Sequence, residues 1–182
     1  MNNSFFYFLI ILFLSSCKKE GCTDNLAINY DTNANIDNGS CEYYTVTEYN
    51  IDQPSGFPTP QIPIENPLTV EGVNLGKKLF NDPILSVDGT ISCSSCHLKS
   101  SNFSDPNQTS IGFNGLQGTR NASVITNSLW SNSFNWDGSA LTLESQAFEP
   151  ITNPKEMNNT WQNVENTLNG NEEYRLLFMN AF

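Results

Sequence analysis

Five consecutive residues carry the clearest chemistry in this sequence: Cys93-Ser94-Ser95-Cys96-His97. The pattern C-x-x-C-H is the attachment site of a c-type haem. Each thiol can form a thioether to one vinyl group, and the adjacent histidine becomes an axial ligand of the iron. His97 is the only histidine of the chain, so this polypeptide offers the iron at most one imidazole.

Three other uses of this motif stay open at this point. A zinc site needs four ligands, and only Cys93, Cys96 and His97 are at hand. A thioredoxin-type dithiol lies near a βαβ pattern, which the sequence does not show. Cys93 and Cys96 could also form a structural disulfide. The lone histidine and the signs of export described next favour haem.

The N-terminus predicts an exported protein. Residues 5–14 form an unbroken apolar run that is too short to span a bilayer as a helix and suits a secretory signal. The sequence Leu14-Ser15-Ser16-Cys17 follows and looks like a bacterial lipobox. We expect a signal peptide over 1–16, a lipidated Cys17 and an outer-membrane anchor that faces the periplasm or the cell surface. An ordinary signal peptide with a chance cysteine is the alternative.

Cys22 and Cys41 remain once Cys17 is assigned to lipid and the other two cysteines to haem. In an oxidising compartment they would pair, and a disulfide would stabilise the loop-rich element over 17–43. This element resembles a short cysteine-bounded motif of secreted bacteroidete proteins. Its carboxylates could bind Ca²⁺, although a solvated, disulfide-stapled spacer is the simpler interpretation; they are Asp24, Asp31 and Asp37.

Composition and patterning predict a mainly α-helical haem domain with long loops. The net charge of −11 argues against a nucleic-acid partner. Four prolines, with a fifth just beyond at Pro67, favour an extended linker over 44–65 whose last part packs on the following domain. Thr69 can cap a helix over 70–80, and further helices are expected over 141–148, 160–168 with Gly170 as C-cap, and 174–182. No repeat and no strand ladder is evident.

The flanking blocks resemble one family. They include Leu75-Gly76-Lys77-Lys78-Leu79-Phe80, Asp82-Pro83-Ile84-Leu85-Ser86, Gly89-Thr90-Ile91-Ser92, Arg120-Asn121-Ala122, Trp136-Asp137-Gly138, Leu143-Glu144-Ser145-Gln146-Ala147 and Pro154-Lys155-Glu156-Met157. In order and spacing these blocks are similar to the N-terminal haem domain of bacterial di-haem cytochrome c peroxidases. The resemblance covers residues 66–182 and implies a cytochrome c-like fold.

The resemblance also implies residue roles. In that family the N-terminal haem reduces hydrogen peroxide to water with electrons from a second haem or a donor cytochrome, and the full-length form can be a homodimer. Cys93 and Cys96 then hold one haem c, with His97 as proximal ligand. Glu156 looks like the distal acid–base, Gln146 like its hydrogen-bonding companion and Trp136 like the tryptophan between the haems. Asn121 looks like a ligand of a calcium ion held between the domains.

Two departures from the family pattern matter. Phe113 stands where many members carry a histidine that ligates the resting iron, so a five-coordinate or water-bound haem is expected. The C-terminal domain with its second C-x-x-C-H is absent, which suggests a truncated chain. A mono-haem electron carrier, with Met157 as a candidate ligand, is the main alternative. A related di-haem oxidase that acts on a protein, with a tyrosine as distal ligand, is another.

Overall fold

The computed structural model describes residues 18–182, which form two compact units divided between Tyr44 and Thr45. The predicted signal peptide over 1–16 and the lipidation site Cys17 lie outside the described residues. Within 18–182, no helix has the length and apolar character needed to cross a membrane.

The first unit is built around a disulfide between Cys22 and Cys41, as the sequence predicted. Strand β1 (Glu20–Gly21) pairs in parallel with β2 (Ile36–Asp37), and Cys22 is almost fully buried. Each of the three carboxylates proposed for calcium accepts a backbone N–H two residues ahead, from Leu26, Asn33 and Gly39. These carboxylates therefore stabilise turns of the unit. Calcium binding here stays a prediction.

The second unit is mainly helical, with short strand bridges only. Its helices are α1 (Val70–Asn81), α2 (Cys93–Cys96), α3 (Leu143–Thr152), α4 (Trp161–Gly170) and α5 (Glu172–Ala181). Single 3-10 turns lie at Pro83–Leu85, Lys99–Ser101, Phe113–Gly115 and Ser128–Trp130.

Side-chain caps explain where the longer helices begin. Thr69, Thr142 and Thr160 each accept a backbone N–H of the first turn that follows, which satisfies one of the free donors at a helix start. Two expectations were wrong. The helix expected over 141–148 is α3, which begins at Leu143 and continues through Pro150 to Thr152, and Gly170 does not cap α4 but is its last helical residue. Asn171 follows, and its side chain caps α5. Because Asn171 serves both helices, the connection between them needs no further residue.

Two apolar clusters form the core. The first contains Leu85, Ile151, Met157 and Val164 and joins the region after α1 to α3 and α4. The second joins α1 to α5 through Leu75, Tyr174 and Ala181. The site described below therefore rests on the packed faces of all four longer helices.

The proline-rich segment belongs to the helical unit. Thr47 N–H donates to Glu71 Oε2 at 2.8 Å, beside the start of α1. Trp130 Nε1 donates to the carbonyl of Pro58 at 2.8 Å, and the Trp130 ring meets Phe57 edge-on. Extended backbone with few internal hydrogen bonds is thus held by contacts to residues far along the chain.

Candidate haem and peroxide site

The C-x-x-C-H motif forms one short helical turn. In α2, Ser92 and Ser95 make a reciprocal capping box, and the N–H of His97 donates to the carbonyl of Cys93 at 3.0 Å. Both thiols are unpaired, and their three-residue spacing places them on one side of the turn. The turn thus presents two thiols and, directly after them, the imidazole.

The imidazole of His97 is oriented by the backbone. Nδ1 lies 3.1 Å from the carbonyl oxygen of Phe103. A carbonyl can only accept, so Nδ1 carries the hydrogen and Nε2 keeps the lone pair that a metal ion needs. Asn102 and Phe103 both adopt left-handed backbone, at φ 55° and 57°. Such a conformation is costly for phenylalanine, and here it aims a carbonyl at His97.

Burial raises the pKa of both thiols, Cys93 and Cys96. Redox-active dithiols usually have the opposite shift, because a nearby positive charge stabilises the thiolate. The thiol environment therefore does not favour the thioredoxin-type interpretation. Residues 18–182 also contain no group of three or more His, Cys, Asp or Glu side chains that could hold a metal ion.

A cavity of about 600 Å³ lies beside the motif. Cys96 and His97 line one part of it. Helix α3 contributes one face of residues spaced three and four apart, Leu143, Gln146, Glu149 and Pro150, and Asn153 directly follows the helix. Glu156, Trp136 and Asn121 line the same cavity, so the structure brings most of the residues singled out from the sequence to one place; Cys93 does not line it.

Glu156 is half-buried in this cavity. Asn153 donates to its Oε1 from Nδ2 at 2.7 Å. Burial raises the pKa of Glu156; the Asn153 hydrogen bond and the charge of His97 act in the opposite direction, and Glu149 adds to the rise. A carboxyl group with a raised pKa can accept and return a proton closer to neutral pH than an exposed glutamate can.

The segment around Phe113 packs directly on Glu156. Phe113 N–H donates to the Glu156 carbonyl at 2.7 Å. A Cβ added at Gly112 would overlap the carbonyl oxygen of Lys155 and lie 2.8 Å from the Glu156 Cα. Only glycine permits this approach. Phe113, at the position where a histidine was expected in relatives, is thus joined to Glu156 by a backbone hydrogen bond.

The other predicted residues occupy distinct places. Gln146 is half-buried on the cavity face of α3. Trp136 is 65% exposed, and its Nε1 donates to the Asn121 carbonyl at 2.7 Å. The Asn121 side chain accepts from Ser104 and donates to the carbonyls of Asp105 and Asn107. Asn121 therefore braces a loop, and its calcium role stays a prediction.

An exposed ion pair also lines the cavity. Arg120 Nη1 lies 2.9 Å from Asp137 Oδ2. Hydrogen bonds from Ser139, then from Arg120, lower the pKa of Asp137 to about 2. The carboxylate therefore stays ionised throughout the neutral range.

Sequence reasoning missed two contributors, Asn153 and the Phe103 carbonyl. For Asn153 a signal existed, since it lies three residues before Glu156 in the run Asn-Pro-Lys-Glu and a chain that turns at proline can bring such residues together. For Phe103 no signal existed, because a main-chain carbonyl carries no residue identity.

The donor set fits a haem c. Two unpaired thiols lie on one turn, the Nδ1 of His97 faces a carbonyl and so leaves Nε2 for a metal, and a cavity of about 600 Å³ is lined by Cys96 and His97. Cys93 and Cys96 would form the thioethers, and His97 would be the axial ligand.

Comparisons with known proteins point the same way. Residues 70–182 match the di-haem cytochrome c peroxidase family. The methylamine utilization protein MauG of Methylorubrum extorquens is 42% identical over 130 residues, 71% of this chain and 36% of its own. Cytochrome c551 peroxidase of Nitrosomonas europaea is 41% identical over 125 residues, 69% of this chain and 37% of its own.

A solved structure resembles the same region. The crystal structure of a MauG-like protein associated with microbial copper homeostasis superposes with a TM-score of 0.68 at 37% identity. The match covers 74% of this chain and 40% of that one. The chain therefore spans little more than a third of the length of the relatives it matches.

Proposed function

The chain belongs to the di-haem cytochrome c peroxidase family, and from this premise we propose that residues 66–182 form a haem c-binding domain that reduces hydrogen peroxide to water. The observation that carries the proposal is the shared cavity. One space of about 600 Å³ is lined by Cys96 and His97 of the haem motif and by Gln146 and Glu156.

A haem c held by Cys93, Cys96 and His97 would supply an iron that binds peroxide and passes on the electrons for cleavage of its O–O bond. Glu156 takes the proton from one peroxide oxygen and returns it to the other, so the carboxyl group ends as it began. The amide of Gln146 holds peroxide without titrating. Overall, peroxide, two protons and two electrons give two waters.

The two electrons come from outside this domain in the proposal, from a second haem or a reduced donor cytochrome. Trp136 is the surface contact for that transfer. Its ring is mostly exposed, lines the cavity and is held by a 2.7 Å hydrogen bond to the Asn121 carbonyl. An aromatic ring fixed at the edge of the cavity links the interior to a partner surface.

The position of Met157, the candidate iron ligand, does not support the alternative function of a mono-haem electron carrier. Met157 is 2% exposed and packs in the core with Leu85, Ile151 and Val164. It does not belong to the described residues that line the cavity beside His97. A thioether at this place stabilises the fold instead.

A second candidate function is oxidation of a protein substrate by a related di-haem oxidase. The chain is 42% identical to a MauG protein and 41% identical to a cytochrome c551 peroxidase. Sequence identity therefore supports oxidation of a protein as much as it supports peroxide reduction. Both functions need Glu156 to move a proton of peroxide. They differ in the reductant, which is a cytochrome in one and a protein side chain in the other.

The proposal also covers the cellular location and the assembly of the protein. We propose export through residues 1–16, an outer-membrane lipid anchor on Cys17 facing the periplasm, and a homodimer of the full-length form. A calcium ion near Asn121 is included as a structural ion. Acylation would be tested by mass spectrometry of the N-terminal peptide after expression in a lipoprotein-processing host.

The function is tested by peroxide consumption of the haem-loaded chain with a small-molecule electron donor. Glu156→Gln keeps the shape but cannot take the proton, and we expect a loss of about a hundredfold or more. Glu165→Gln, on the exposed side of α4, is the matched control and should leave the rate unchanged. Equal rates in wild type and Glu156→Gln would exclude the proposed role.

A further inference from the structure

The hydrogen bond between Asn153 and Glu156 distinguishes the two oxygens of the glutamate. Asn153 Nδ2 donates to Oε1 at 2.7 Å, and this is a side-chain contact within the cavity. A carboxylate oxygen that already accepts a short hydrogen bond is a poorer proton acceptor than its partner. Oε2 is then the more basic oxygen.

The orientation of the Asn153 amide is independently determined. Its Oδ1 accepts the backbone N–H of Lys155 at 3.0 Å, as in an Asx turn. The oxygen is therefore directed to the backbone, so the NH₂ group must be directed to Glu156. If the amide were flipped, its NH₂ group would face the Lys155 N–H and its oxygen would face the Glu156 carboxylate, so neither contact would be a hydrogen bond.

The backbone of Asn153 is equally constrained. Its N–H donates to the Glu149 carbonyl at the end of α3, and its carbonyl accepts from Glu156 and Asn158, each at 3.0 Å. From the opposite side, Phe113 N–H donates to the Glu156 carbonyl at 2.7 Å. Glu156 is thus fixed by its backbone through residue 113 and by its side chain through residue 153.

We propose that Asn153 is a positioning residue that occupies Oε1 of Glu156 and reserves Oε2 as the oxygen that takes and returns the substrate proton. The proton leaves one oxygen of peroxide, binds Oε2 and passes to the second oxygen, with no net change at the carboxyl group. This inference rests on the proposed role of Glu156 and adds which oxygen acts and which residue decides it.

Several charged or titratable groups face Glu156 and must be kept constant in a test. They are His97 and the Cys96 thiol in the haem motif, Glu149 on α3, and Lys155 and the Arg120–Asp137 pair around the cavity. A change at Asn153 leaves the side chains of all of them in place. Asn153→Ala removes the hydrogen bond to Glu156 and also the bond from the Lys155 N–H, whereas Asn153→Asp retains an oxygen that can accept from Lys155.

The test combines two readouts on the full chain. In the cofactor-free protein, ¹³C NMR of the Glu156 carboxyl carbon should show a higher pKa in Asn153→Ala, because a donor to the ionised form is removed. In Asn153→Asp it should be higher still, because two carboxyl groups then meet. Asn163→Ala removes another 2.8 Å amide hydrogen bond, outside the cavity, and should leave the titration unchanged.

The haem-loaded chain gives the second readout. Asn153→Ala should lower the rate constant with peroxide about tenfold in the wild-type background. In a Glu156→Gln background it should change the residual rate by less than about twofold, because its effect acts through Glu156. Equal losses in both backgrounds, or an unchanged NMR titration, would overturn the positioning role.

The two proposals fail differently. If Glu156→Gln has full activity, the proposed function of Glu156 is wrong, while the NMR titration still decides whether Asn153 binds its carboxylate. If Glu156→Gln is inactive but Asn153→Ala has full activity and an unshifted titration, only the positioning role is wrong.

Discussion

Tyr174 donates a 2.7 Å hydrogen bond to Asp82 Oδ2 across 92 positions of sequence. The other carboxylate oxygen of Asp82 accepts the N–H of Ile84 and so caps the 3-10 turn after α1. Tyr174 is 1% exposed, and the Lys78 ammonium lies 5.2 Å from the centre of its ring. One phenol thus joins the last helix to the end of the first.

Tyr174→Phe tests this connection. The ring and its packing stay, but Asp82 Oδ2 loses its donor in a partly buried place. We expect a loss of about 1–3 kcal/mol in the free energy of unfolding. Urea denaturation followed by circular dichroism measures it, with Tyr49→Phe at an exposed tyrosine as control. Equal midpoints for the two variants would contradict a stabilising role of the bond.

Gly112→Ala tests the close approach of two loops. A methyl group would overlap the Lys155 carbonyl, so the turn that carries Glu156 must shift. We expect both lower stability and a peroxide rate reduced about tenfold or more. Gly76→Ala is the matched control, since nothing lies within 4 Å of its Cβ; in mid-helix it should stabilise by up to about 1 kcal/mol. Wild-type activity in Gly112→Ala would show that the turn tolerates displacement.

The raised pKa of Glu156 predicts a pH-dependent stability. Burial favours the neutral carboxyl group, so the folded-state pKa lies above the unfolded value. The resulting stabilisation is fully present below the unfolded pKa and is lost as pH rises through the folded pKa. Glu156→Gln lacks this loss, so it should be more stable than wild type at neutral pH, with the difference shrinking towards acid. The measurement is the free energy of unfolding of the cofactor-free chains as a function of pH. The same pH dependence in wild type and Glu156→Gln would show that the pKa of Glu156 is not raised in the folded state.

Phe113 predicts the state of the haem iron at rest. Its side chain cannot ligate iron, and His97 is the only histidine of the chain. The ferric chain should therefore show a high-spin, five-coordinate or water-bound spectrum. Phe113→His places an imidazole in the loop joined to Glu156 and should convert part of the sample to a low-spin form. A low-spin wild-type spectrum with a protein-derived sixth ligand would contradict this.

Local chemistry made much of the fold predictable. Thr69 and the Asp82-Pro83 pair mark the two ends of α1, because capping and proline geometry act within a few residues. The end of α4 was misjudged at Gly170, since the side chain of Asn171 provides the better cap for the next helix. The residue at which a helix ends therefore depends on the capping of the next helix as well as its own.

The site was predictable where side-chain chemistry is written in the sequence. Cys96, His97 and Glu156 were singled out from motif and resemblance, and the structure brings them to one cavity. The Phe103 carbonyl and the space at Gly112 were not predictable, because they depend on backbone conformation and on the approach of distant loops. The site needs both kinds of contribution.

The packing of α1 against α5 makes the core depend on contacts that are distant in sequence. Leu75 of α1 packs with Tyr174 and Ala181 of α5, on the far side of the haem motif along the chain. Such non-local contacts form only after the entropy cost of closing the intervening chain has been met. We therefore expect this part of the core to form more slowly than contacts within single helices.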